Sequence, residues 1–307
     1  MIVNQTALDL AFKGFKTKFN EGWESVEPSW DRIAMTIRST SRDETYGWLG
    51  QFPELREWAG GERLVKDLQA HGFTIVNKKY ESTVDVKRDD FEDDRLGTFA
   101  PIFQRMGETA RRHPDTLVFP LLSAGFTTLC YDGQNFFDAD HPYGATYDVA
   151  GAYTGALGSV SNVTDAGQGD PAWYLMQTRG ALKPIIFQER VPYQFQAVNR
   201  PDDHEVFMTD EFKYGIRARS NVGFGLWQLA YAVKAPLTAA TYKAARQAMM
   251  GFRGDNNQLL GIMPDLMVVP PALEEEARVL LTSDRINGGD SNPWRGTADL
   301  LVSQHIA

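Results

Sequence analysis

The richest cluster of ligand-type and acid–base groups in this chain lies in Tyr131-Asp-Gly-Gln-Asn-Phe-Phe-Asp-Ala-Asp-His-Pro142, which brings together Asp132, Asn135, Asp138, Asp140 and His141. Carboxylate and amide oxygens beside an imidazole are the donors of a weak divalent-cation site. The spacing lacks the terminal glutamate of a calcium-binding hand, and Asp or Asn next to Gly and Pro is ordinary turn chemistry. The stretch therefore reads first as a turn. His71, His113, His204 and His305 are scattered without ligand spacing. Neither a Gly-x-Ser-x-Gly elbow nor a Gly-x-x-x-x-Gly-Lys phosphate loop occurs, and Gly223-Phe-Gly225 is half a dinucleotide fingerprint with Gln228 in place of its last glycine. Cys130, the single cysteine, is flanked by Leu129 and Tyr131, the setting of an inert buried thiol. Carboxylates are plentiful, but none are paired in an apolar pattern that would drive two pKa values apart. The residues predict no catalytic, cofactor or metal site.

The elements that would position these groups follow from periodicity. Residues 6–23 predict an amphipathic helix, with Leu8, Phe12, Phe15, Phe19 and Trp23 on one face and Thr6 as its N-cap. An aromatic run, Tyr46-Gly-Trp-Leu-Gly-Gln-Phe-Pro53, reaches Trp58 and leads to an alternating strand over Phe73–Lys87. A ribbon so apolar is marginal in water unless other strands or another chain cover it. The acidic run Asp89–Asp94 precedes a helical pattern through Phe99, Ile102, Phe103 and Met106. Pro114 interrupts that pattern and predicts a second helix to Gly125, together a kinked rod of roughly 40 Å. Residues 131–171 read as loop, followed by strands at 173–176, 183–188, 193–198 and 224–233. The tail predicts a helix over 238–252, a strand at 266–269, a helix over 272–281 and a last strand at 298–302.

Composition bounds the function. With 43% apolar and 23% charged residues the chain is globular, and 307 residues supply ample core. A net charge of −9 argues against a sequence-specific nucleic-acid binder, which needs clustered Lys and Arg. No run approaches the ~20 apolar residues of a membrane span, and no basic-then-apolar signal opens the chain. With one cysteine and no intrachain disulfide, the expectation is a product of a reducing cytosol.

With these residues in view, the chain resembles the major capsid (head) subunits of Mu-like phages and prophages over nearly its whole length. The resemblance rests on Tyr46-Gly-Trp-Leu-Gly-Gln-Phe-Pro-Glu-Leu-Arg-Glu-Trp58, on Tyr80–Asp94 and on Cys130–Pro142. It continues in Trp173-Tyr-Leu-Met, Lys183–Arg190, Tyr214–Tyr231 and Val268-Val-Pro-Pro-Ala-Leu-Glu-Glu275. It implies an α+β, HK97-like capsid fold with an N-terminal arm (1–42), an E-loop hairpin and flanking strand (43–88), and a peripheral-domain spine helix with its following loop (89–150). β-rich peripheral and axial strands (151–236) and an axial-domain helix–strand–helix (237–307) complete it. It also implies a non-enzymatic shell subunit that assembles with itself as hexamers and pentamers. Its further partners would be a scaffolding protein, a portal and a decoration protein around enclosed DNA, with no membrane. The intersubunit contacts expected are Phe12, Phe15 and Phe19 on the arm, and Tyr46, Trp48, Phe52, Trp58, Lys78 and Lys79 on the ribbon. The location expected is the virion, after assembly in the host cytoplasm. Two other readings stand beside this one: an encapsulin-like compartment with protein cargo, and a soluble carboxylate hydrolase.

Overall fold

A computed structural model describes residues 4–47, 49, 73–93, 95–147, 153–254, 257–286 and 289–306. Helix α1 (Gln5–Glu24) opens the chain, capped by the side chain of Asn4, which accepts from the Ala7 N–H at 2.8 Å. Asn4 therefore takes the role expected of Thr6, one of the orphan donors of the first turn finding the nearer oxygen. Strands β1 (Ala34–Arg38), β2 (Asp43–Tyr46), β3 (Phe73–Val76) and β4 (Lys78–Lys87) follow, then the short helix α2 (Arg88–Glu92) and the long helix α3 (Ala100–Ala124). Next are β5 (His141–Tyr147), β6 (Tyr153–Val160), β7 (Val163–Asp165), β8 (Trp173–Met176) and β9 (Ile185–Val198). Helix α4 (His204–Thr209) links β9 to β10 (Glu211–Phe224), which leads to β11 (Ala230–Lys234) and helix α5 (Ala239–Met250). The chain closes with β12 (Leu266–Val269), α6 (Glu274–Thr282), the two-residue strands β13 (Arg285–Ile286) and β14 (Asp290–Ser291), and β15 (Asp299–Val302).

Two sheets organise these elements. One has the order β1-β9-β10-β4 and the other β15-β12-β8-β11-β7. The apolar side chains divide into two cores. Phe15, Phe19, Phe91, Phe103, Phe212 and Tyr214 belong to the smaller one, between α1, α3 and the outer half of the first sheet. The larger one gathers the second sheet, α5, α6 and the inner halves of β9 and α3.

Several expectations are corrected by this architecture. Helix α3 runs unbroken through Pro114 and Pro120 and spans about 37 Å at 1.5 Å per residue. An internal proline costs about 3 kcal/mol in an isolated helix, but Pro114 is buried between the two cores, where packing on either side offsets it. The segments 183–188 and 193–198 form one strand, β9, with a bulge opposite Arg217–Arg219 where Pro192 supplies no N–H to the ladder. The continuous strand expected at 224–233 is instead split. Gly225 donates to the Pro184 carbonyl at 2.8 Å, and a 3-10 turn at Trp227–Leu229 redirects the chain into β11. The stretch 131–171, expected as loop, contains β7 and the β5–β6 ribbon. The strand from Phe73 to Lys87 is interrupted at Asn77.

The N-terminal segment is corrected as well. Over Gln5–Glu24 it is an integral helix of the smaller core. Helices α1 and α3 meet backbone to backbone: a Cβ added to Gly22 would overlap the Gln104 carbonyl, and one added to Gly107 would overlap the Phe19 carbonyl. Asp115, on the buried side of α3, accepts from the N–H groups of Ser29 and Trp30 at 3.0 and 2.8 Å and fixes the chain after α1. The glycine crossing gives a sharp prediction. Gly107→Ala and Gly22→Ala should each destabilise the fold by about 1–3 kcal/mol in urea unfolding, because rigid backbone has to shift. Gly14→Ala, on the exposed face of α1 with open space around it, should instead stabilise by about 0.5–1 kcal/mol.

Candidate assembly surfaces and the buried polar centres behind them

The ribbon is rooted by a polar residue in the wrong place for a core. Gln188 lies at the end of the buried run Ile185-Ile186-Phe187 and is itself fully buried. Its Oε1 accepts from the Tyr46 hydroxyl at 2.7 Å. Its Nε2 donates to the Ile75 carbonyl at 3.0 Å and to Asn77 Oδ1 at 2.9 Å. Asn77 in turn donates through Nδ2 to Ser39 Oγ at 2.8 Å and to the Ser41 carbonyl at 3.1 Å. Burial, with the nearby charge of Glu44, pushes the Tyr46 phenol up to about 12, so it stays a neutral donor. Glu44 closes the neighbouring turn by accepting from the Thr40 N–H at 2.7 Å. That bond, with the Ser39 hydroxyl and the Ser41 N–H, holds its carboxyl below the usual range. The β2–β3 hairpin is thus bolted to β9 by a fully satisfied network.

The sequence-predicted contacts separate accordingly. Phe15 stacks on Phe103 at 4.2 Å and meets Tyr214 edge-on at 5.0 Å, while Phe12 and Phe19 stack on Phe195 at 5.6 and 5.3 Å. Phe15 and Phe19 are buried in the chain's own core and Phe12 packs partly against it, so none of the three is a free arm contact. Tyr46 is likewise buried at the ribbon root. Lys78 and Lys79 are exposed at the start of β4, opposite Ser220 and Arg219. Trp48, Phe52 and Trp58 lie outside the described residues. Sequence reading missed Gln188 and Asn77; the signal available was a lone amide closing an otherwise apolar run.

The ligand-type cluster turns inward too. Asp132 Oδ2 accepts from His141 Nδ1 at 2.8 Å, and its Oδ1 accepts from Cys130 Sγ at 3.0 Å and the Gln134 N–H at 3.1 Å. His141 is fully buried and stacks on Trp227 at 4.1 Å. Burial and the adjacent Asp132 charge push the Cys130 thiol far up, so it is a proton donor and no nucleophile. His141, Cys130 and Asp132 lie close enough together to resemble a metal centre. His141 gives Nδ1 to Asp132 while its Nε2 is buried without a hydrogen-bond partner among the described residues, and the bonds that the three side chains do make tie the stretch together as a clip. The other residues of the stretch serve the same end. Phe136 stacks on Phe224 at 4.3 Å, and Asn162 joins Asp138 to β11. His113, half-buried beside Tyr193 Oη at 2.5 Å, is held below the usual imidazole range by burial.

A long helix laid across a four-stranded sheet, a hairpin bolted to β9 and a second core built on a five-stranded sheet are the features of a tailed-phage capsid subunit of the HK97-like, α+β class. The fold matches that of the subunit in the procapsid of bacteriophage JBD30, with a TM-score of 0.86 and 42% identity over 99% of this chain and 100% of that one. It also matches the JBD30 capsid, with a TM-score of 0.78 and 32% identity over 92% of each chain. The family model of the Mu-like prophage major head subunit gpT matches residues 8–306, and the chain belongs to that family. It is 42% identical to the major capsid protein of Escherichia phage Mu over the whole of both chains. It is 44% identical to the Mu-like prophage FluMu major head subunit of Haemophilus influenzae over 96% of each. The chain is therefore a major capsid protein, a component of the virion, and the protein-cargo compartment reading is set aside. Among the described residues, no helix is long and apolar enough to cross a membrane.

Two outcomes are expected from the polar centres. Gln188→Leu should cost about 2–3 kcal/mol in urea unfolding, since it removes the buried acceptor of the Tyr46 hydroxyl and the donor to the Ile75 carbonyl and Asn77 Oδ1 together. For Asp132, burial alone would raise the carboxyl, but the bonds from His141 and Cys130 prevail and hold it below its ordinary value. A depressed carboxyl contributes stability above its unfolded pKa of about 3.9, and that contribution is lost as pH falls through the folded value. Asp132→Asn should therefore be less stable than wild type at neutral pH, with the gap narrowing in unfolding measurements below about pH 4.

Proposed function

We propose that this chain forms the hexamers and pentamers of an icosahedral head that encloses DNA, and that residues 43–88 are the arm by which one subunit covers the next. The observation that carries this reading is the ribbon root. A hairpin tied to the core through Gln188, Tyr46 and Asn77 presents what lies beyond it from a fixed base. The residues beyond that base include Trp48, Phe52 and Trp58, an aromatic content suited to burial against another surface. Lys78 and Lys79 sit beside the root as polar contacts and as a guard against unwanted edge pairing of β4.

In this reading the smaller core, with α1, α3 and the outer ends of β9, β10 and β4, is the peripheral domain. The five-stranded sheet with α5 and α6 is the axial domain, pointing to the capsomer centre. The net charge of −9 suits a lining that confines DNA without adhering to it. A scaffolding protein during assembly in the host cytoplasm and a portal are the further partners. So is a decoration protein, as on the JBD30 capsid decorated with minor capsid protein trimers, whose subunit matches this chain with a TM-score of 0.74 and 32% identity. The subunit carries no chemistry of its own beyond assembly.

The test removes residues 51–71 and rejoins the ends with a short glycine–serine turn, leaving Tyr46 and Leu49 in place. The variant should keep the circular dichroism and melting behaviour of a folded monomer while negative-stain microscopy shows no shells under conditions where wild type forms them. Intact shells from the variant, or its global unfolding, would remove the segment from the role of arm.

A further inference from the structure

A cavity of about 340 Å³ opens between α3 and the edge strand β4. Val84, Ile102, Met106, Tyr193 and Ile216 line it, with His113 at one side. It lies within the size range of clefts that take a ring-sized group. Ile102, on its lip, is 45% exposed, unusual for an isoleucine on a helix that packs against a core.

At another place on the same chain the opposite shape occurs. Phe207 is 80% exposed and Met208 67%, the two apolar side chains of α4 that point away from the protein. Their neighbour Val206 is buried in the smaller core. Asp203 caps the helix by accepting from the Glu205 N–H at 3.0 Å, and Asp210 in a left-handed conformation ends it. Ion pairs of Lys213 with Glu205 and of Arg88 with Asp210 brace both ends. The knob is therefore held in place before it meets anything, so little conformational freedom remains to be lost on docking.

We propose that Phe207 and Met208 of one copy of this chain insert into the α3–β4 cavity of another copy; the inference rests on the shell reading and gives it a specific contact. Phe207 is 80% exposed and does not line the cavity of its own chain, so only the Phe207 of a second molecule could fill it. Charge favours the pairing. Beside Glu205 and Asp210, which are engaged in the ion pairs above, the segment around the knob carries Asp202, Asp203 and Glu211. The exposed face of α3 presents Arg112, three residues beyond Thr109 on the cavity lip, and Arg105, four residues before it and paired with Glu108 of the same helix. Glu81 stands on the opposite lip, so the attraction is directional across the mouth. Knob and hole occupy different patches of one molecule, which makes the contact heterologous. Such a contact repeats from copy to copy and stays finite only where the assembly closes, as a shell does.

Three full-length variants test the contact beside wild type, with shells scored by negative-stain microscopy and sedimentation. Phe207→Ser with Met208→Ser should remain a folded monomer, because both side chains are exposed, and should raise the subunit concentration needed for shells roughly ten-fold. Thr109→Trp should do the same by filling the hole from the other side. Thr109→Cys with Phe207→Cys, treated with a short bis-maleimide, should give chain-to-chain cross-links in shells, while Thr109→Cys alone gives none. Shells forming at the wild-type concentration from the double serine variant, or assembled double-cysteine shells that run as single chains after cross-linking, overturn the contact. Absence of shells from wild type under every assembly condition overturns the shell reading itself, a separate outcome.

Discussion

Strands β9 and β10 run side by side for 14 residues each, and everything else in the molecule is arranged by that ladder. Their inner ends lie in the larger core through Ile185, Ile186, Phe187 and Phe224, and β10 reaches the smaller core through Phe212, Tyr214 and Ile216. A pair of strands that serves two cores cannot alternate in one way along its whole length. Accordingly β9 is buried on both faces from Ile185 to Gln188 and then alternates to Val198. The bulge at Pro192 falls in the alternating half, where the ladder adjusts its register before reaching the smaller core. Helix α3 makes the same passage on the other side, with Phe103 and Met106 in one core and Val118 and Leu122 in the other. The glycine contact of α1 with α3 then fixes how closely the outer layer approaches.

How legible was this in the sequence? Local signals served well wherever burial and periodicity agreed. The helix beginning at Thr238, the Leu266–Val269 strand and the alternating strand ending at Lys87 stand where their residues place them. Signals failed where distant packing overrides a local rule. Pro114 says stop to an isolated helix, but a site between two cores supplies enough contact to continue. The run Phe224–Val233 says one strand, but the close approach of Gly225 to Pro184 turns it. Phe12, Phe15 and Phe19 announce an apolar face without saying whether its partner is the same chain or another; the close fit of α1 on α3 depends on Gly107, eighty-five positions after Gly22.

The groups that look most like chemistry show the same lesson from the other side. Asp132, His141, Cys130 and Asn162 bond to one another or to the backbone, and together they seat Phe136 and Phe137 in the larger core. Residue types that could bind an ion or move a proton here hold a loop in one conformation. Their density in a short stretch reflects the number of turns that must be fixed there. Gln188 is the inverse case: it carries no chemical suggestion in the sequence, yet it determines where the ribbon leaves the body of the protein.

Helix α3 carries a last consequence. Pro114 and Pro120 offer no amide hydrogen, so the carbonyls of Ala110 and Thr116 lack the usual donor one turn ahead. Bending the rod at those points breaks no bond that exists, and the helix is more compliant there than an uninterrupted one of equal length. A closed shell sets identical chains in surroundings of unequal curvature. A rod with two such points can follow a change of curvature that an uninterrupted helix would resist, and the glycine crossing near its start lies outside them.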